Sequence, residues 1–117
     1  MTAIQGPAGL ATEIAEIIEG RGGIVRVVDR RPKLRPEIKA NFDFGILRPY
    51  QREAVEMATT PHGPIGTIGR GILKLPTRSG KTVIAAAIIA RLRARTLFVV
   101  PSKLLLYQTH RALESLL

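Results

Sequence analysis

A chain of 117 residues with 18 Lys and Arg against 9 Asp and Glu carries a formal charge of +9 and a pI near 11.1, which limits it to one compact domain and favours a polyanionic partner, nucleic acid first. Its 45% hydrophobic residues and mean hydropathy of +0.12 exclude a wholly disordered chain, while 4% aromatics make the core aliphatic. The absence of cysteine excludes a disulfide framework and thiolate zinc sites, and two histidines cannot form a metal cluster alone.

Leu10, Ile14, Ile17 and Ile18 recur at helical spacing, with Glu13, Glu16 and Glu19 opposite, until Gly20, Gly22 and Gly23 stop the pattern. The β-branched run Ile24-Val25-Arg26-Val27-Val28 then predicts a strand entering a loop at Arg30-Arg31-Pro32. Together these form a small α-β segment over residues 1–40. It is either an accessory module that holds nucleic acid through Arg26, Arg30, Arg31, Lys33 and Arg35, or a packing extension of the main domain.

Leu47 to Ala58 is predicted to be helical, with Pro49 tolerated at its start and a stop at Thr59-Thr60-Pro61. Residues Pro61 to Gly71, punctuated by Gly63, Pro64, Gly66 and Gly69, predict a surface loop. Beyond it, apolar Gly71 to Leu75, a helix from Gly80 to Arg93, apolar Thr96 to Val100 and a helix from Ser102 onward give a strand-helix-strand-helix rhythm. That is the rhythm of a parallel α/β sheet with right-handed crossovers, and it places Ile72, Leu73, Leu75, Leu97, Phe98, Val99 and Val100 in the core. Val83 to Ala90 is too short to cross a bilayer and no secretory leader is visible, so a cytoplasmic protein is expected.

The sharpest chemical signal is Leu75-Pro76-Thr77-Arg78-Ser79-Gly80-Lys81-Thr82, between an apolar run and a helix. In a phosphate loop at this place, backbone N–H groups wrap an anion and the helix N-terminus adds its positive end. Lys81 reaches the β- and γ-phosphates, and the Thr82 hydroxyl ligates Mg²⁺. Gly80 lets the backbone approach phosphate with no Cβ in the way. Thr77 and Ser79 complete the candidate ATP-binding set, and Leu75 stands where GxxxxGK[ST] has its first glycine. Arg78 either faces solvent or touches phosphate.

Leu47-Arg48-Pro49-Tyr50-Gln51, preceded by Phe42 and Phe44, lies upstream, and Pro101-Ser102-Lys103-Leu104-Leu105-Leu106-Tyr107-Gln108 comes after the second apolar run. With the phosphate loop, these segments resemble the Q-motif, motif I and motif Ia of superfamily 2 helicases and translocases, phage recombination and repair helicases among them. The resemblance spans roughly Phe42 to Arg111. It implies the beginning of a RecA-like, P-loop α/β domain over residues 41–117, a parallel sheet flanked by helices and preceded by the small α-β segment. It also implies that Gln51 reads the adenine edge, an amide having both the donor and the acceptor this needs, while Arg48 or Phe44 stacks on the ring. Without that context Gln51 reads as a solvated helix residue and Tyr50 as a core aromatic. Ser102 and Lys103, at a helix start, would hold nucleic-acid phosphates with little base specificity, DNA being favoured over RNA.

The family continues with an Asp-Glu motif and with arginines of a second RecA-like domain. After Lys81 the only acidic residue here is Glu114. The expectation is therefore the leading part of an ATP-dependent motor, a fragment that binds ATP with Mg²⁺ but lacks the groups for hydrolysis without the rest of the motor. The alternative is a non-catalytic basic nucleic-acid-binding module on a P-loop scaffold. A small phosphate-loop kinase is disfavoured by Gln51 and the motif Ia segment.

Overall fold

The structure, a computed structural model, describes residues 10–28, 36–61 and 71–117. Chain contacts divide it into two units, one containing the first helix and the other the remaining three.

In the first unit, α1 (Ala11–Glu19) buries Ala15 and leaves Leu10 and Ile17 exposed. It ends where Gly20 N–H donates to Glu16 O at 2.9 Å and Gly23 N–H to Ile18 O at 3.0 Å, with Gly22 left-handed at φ 79°. An open depression of about 300 Å³ lies between this helix and Val25 and Val27. Arg26 is exposed, whereas Arg30, Arg31, Lys33 and Arg35 of the expected basic patch lie outside the described residues, as does most of the expected loop from Pro61 to Gly71.

In the second unit a 3₁₀ turn (Phe44–Ile46) leads into α2 (Pro49–Thr59), after which come α3 (Lys81–Leu92) and α4 (Lys103–Leu116). Pro49 at the first helical position begins α2. Gly80, at φ 78°, precedes α3, and Arg93, at φ 51°, ends it. Ser102 caps α4 by accepting from Leu105 N–H at 3.3 Å. Every helix expected from periodicity is present, each within two residues of its expected start.

The core is the seam between α2 and α3: Ala54 and Val55 of α2 meet Ile84 and Ala87 of α3, with Leu47 beneath and Phe42, Leu75, Val83 and Ile88 packed around them. Alanines at 86, 87 and 90 bring α3 close to its neighbours, since a methyl side chain keeps backbones near. Residues 36–40 join this unit, because Glu37 N–H and Ile38 N–H both donate to Arg93 O, at 2.8 and 3.1 Å, and satisfy the carbonyl left open at the end of α3.

Among the described residues no strand is present. The runs expected to be strands, at residues 24–28, 71–75 and 96–100, are irregular, and Ile72 (96% exposed), Leu97 (88%), Leu73, Phe98 and Val99 stand in solvent instead of a core. Leu75 alone of the expected strand residues packs against the buried cluster. A strand is stable only with a neighbour to complete its hydrogen-bond ladder and layers to cover its faces, and no described segment supplies that neighbour.

Candidate functional site

The candidate site is the turn from Pro76 to Gly80 together with the start of α3. Its conformation is dictated by two left-handed residues, Arg78 (φ 62°) and Gly80 (φ 78°). For glycine that conformation is unstrained; for arginine it costs on the order of 1 kcal/mol and must be held by surrounding contacts. Ser79 N–H reaches Pro76 O at 3.4 Å and closes the turn.

The first intrahelical bond of α3 runs from Ile84 N–H to Gly80 O, at 3.0 Å, and no side chain caps the helix. The amides at its start are therefore without intrahelical acceptors and the positive end of the helix is unneutralised, an arrangement that suits an anion. Ser79 adds a second indication. Its residue is 6% exposed and its Oγ is buried with no hydrogen-bond partner, the one such side-chain atom among the described residues. A buried hydroxyl left unpaired costs about 1–3 kcal/mol, so it marks a place where a polar ligand atom is stabilising. Lys81 is exposed and free to swing to a bound anion, and Thr82 is half-buried one residue further on.

The Ser79 carbonyl, unlike its hydroxyl, is fully engaged. It accepts from Gln51 Nε2 and from Tyr50 Oη, both at 2.8 Å, so the first turn of α2 grips the Pro76–Gly80 turn through one backbone oxygen. Gln51 is 5% exposed and engaged at both ends, for its Oε1 also accepts from Arg48 N–H at 2.9 Å. Space favours glycine at 80 as well, since a Cβ there would push Gln51 Nε2 away from the Ser79 carbonyl.

The structure thus brings Gln51, Ser79 and Gly80 together, sets Lys81 and Thr82 beside them on α3, and leaves Thr77 exposed in the turn. Arg48 is exposed and serves α2 as its flanking residue. Phe44 meets Phe42 edge-on at 5.1 Å and lines an open depression of about 380 Å³ whose other walls include Leu47, Arg52 and Arg91. Arg48, Gln51 and the residues of the Pro76–Gly80 turn are not among those lining that depression. Tyr50, to which the sequence reading gave no role of its own, is 38% exposed, and its hydroxyl donates to the Ser79 carbonyl. Its adjacency to Gln51 was the available signal.

At the second candidate position, the cap leaves the Ser102 hydroxyl hydrogen free to donate, and Lys103 is exposed at the start of the 14-residue α4. Glu114, near the other end of α4, is exposed and pairs with His110 at 3.2 Å.

A family model described as the res subunit of type III restriction enzymes matches residues 45–117, which takes in α2, the Pro76–Gly80 turn, α3 and α4. Comparison with curated proteins and with solved structures finds no match.

Proposed function

The chain belongs to this family of the type III restriction enzyme res subunit, a helicase-like superfamily 2 group, and from that premise we propose that residues 41–117 bind ATP with Mg²⁺ and contact a nucleic-acid backbone as the leading part of an ATP-dependent helicase or translocase. In this reading the fold is the beginning of a RecA-like α/β domain, with the apolar runs at 71–75 and 96–100 as its strand-forming segments.

The observation that carries the proposal is the buried, unpartnered Ser79 hydroxyl in a turn that precedes an uncapped helix. The residues suit a Mg²⁺-nucleotide: Ser79 and the first amides of α3 as donors to phosphate oxygens, Lys81 as the charge, and Thr82 as the hydroxyl ligand of the metal. Bound there, the metal and lysine would neutralise the phosphate charge. Gln51 serves the adenine edge, with Arg48 or Phe44 against the ring. Ser102 and Lys103 serve phosphates of nucleic acid, DNA before RNA.

Isothermal titration with ATP and Mg²⁺ tests the reading. Saturable binding by the wild type and its loss in Lys81→Ala are expected, whereas equal affinities would refute the site, because the lysine supplies its charge pairing.

A further inference from the structure

Two donors meet on the Ser79 carbonyl, and they are not equivalent. Gln51 holds it with an amide that is needed elsewhere if the nucleotide-binding reading above is right. That amide is 5% exposed and fixed at both ends, by Ser79 O and by Arg48 N–H. One N–H and one lone pair of the amide are left over, but a side chain this buried does not present them to solvent, so to meet the edge of a purine it turns out of this position and releases the carbonyl. Tyr50 has no such second duty: its hydroxyl donates to the same oxygen from the partly exposed side of α2.

The geometry points to Tyr50 as a positioning residue for the phosphate loop, one that keeps the Ser79 carbonyl bonded while the Gln51 amide is exchanged from the loop to the base. A carbonyl oxygen has two lone pairs, so both donors are accommodated before exchange and one remains after it. Held toward α2, the carbonyl also stays clear of the anion, which it would repel, and the α3 amides keep facing the ligand. Without the Tyr50 hydroxyl, a bound adenine confronts a choice: Gln51 stays on the loop and the base goes unread, or Gln51 reads the base and a buried carbonyl is orphaned. Both choices weaken ATP. An anion that lacks a base poses no such choice, because Gln51 remains on the carbonyl throughout.

Tyr50→Phe keeps the ring and removes only the donor, and two ligands separate its effects. In the presence of Mg²⁺, the variant is expected to bind ATP about tenfold more weakly than the wild type, the scale of one buried hydrogen bond lost, while binding inorganic tripolyphosphate within about twofold. Equal weakening of both ligands, as a packing role would give, or no change in either, overturns the inference and leaves the nucleotide site standing. Failure of the wild type to bind either ligand overturns the nucleotide site and the inference with it. A variant-free measurement decides the matter should Tyr50→Phe not fold. In the wild type, ATP should move the Gln51 side-chain amide resonances much further than tripolyphosphate does, and equal movement by the two ligands shows that no exchange takes place.

Discussion

At the residue scale, Gly80 carries two constraints that act together. Its φ of 78° disfavours any residue with a Cβ, and that Cβ would also displace the Gln51 amide from the Ser79 carbonyl. Gly80→Ala is therefore expected to destabilise the chain by about 1–3 kcal/mol, the left-handed penalty plus disruption of a buried hydrogen bond. The two parts separate in a double-mutant cycle monitored by urea unfolding. In a Gln51→Ala background the collision is relieved and the cost of Gly80→Ala should fall by about 0.5–1 kcal/mol or more, whereas strictly additive effects would mean that Gln51 and Gly80 do not interact. The turn at Gly80 and the helix that begins at Lys81 were legible in the sequence because a glycine turn running into a helix is a local pattern. The grip on Ser79 was not, because it joins side chains 28 and 29 residues away in sequence to a backbone carbonyl, and backbone acceptors leave no mark in residue identity.

At the element scale, the helices were legible and the pairing of the apolar runs was not, for one physical reason. A helix satisfies its backbone internally, so a proline at position 49, a left-handed glycine at 80 and a capping serine at 102 suffice to mark where each begins. Strand formation depends on what lies alongside, and apolar composition at 71–75 or 96–100 does not specify a partner. The structure accordingly concentrates its burial at the α2–α3 seam, where Val55 and Ile84 are the largest fully buried side chains. Ile84→Ala should cost about 2–5 kcal/mol through the cavity it leaves. Leu104→Ala, on the exposed face of α4, should change stability by no more than about 0.5 kcal/mol. Urea midpoints of the two variants, compared at constant slope, test this placement of the core. Similar losses for both would show that α4 is packed more tightly than its exposure indicates.

At the scale of the whole molecule, every described lysine and arginine that contributes to the +9 charge lies on the surface. Lys74, Arg78, Lys81, Arg91, Arg93, Arg95, Lys103 and Arg111 are all exposed, and the Arg95 pairing with Glu37 at 3.0 Å is itself solvent-exposed and so contributes at most about 1 kcal/mol. Cations in this setting are available to a polyanion, and their attraction is screened as salt rises. Each phosphate neutralised releases counterions and adds roughly 0.7–0.9 to the slope of log affinity against log salt. Lys103 stands at the start of α4 beside Ser102, whose Oγ caps Leu105 N–H and whose hydroxyl hydrogen is unused. Lys103→Ala should weaken binding to oligonucleotides nearly uniformly across sequences and lower that slope by about one. Ser102→Ala removes no charge; it should leave the slope unchanged while costing the α4 cap about 1 kcal/mol of stability. Fluorescence anisotropy titrations of single- and double-stranded oligonucleotides over a range of salt concentrations measure both effects. Should Lys103→Ala change neither affinity nor slope, the start of α4 is a structural corner, and the exposed arginines of α3 and the segment after it become the cations to test in its place.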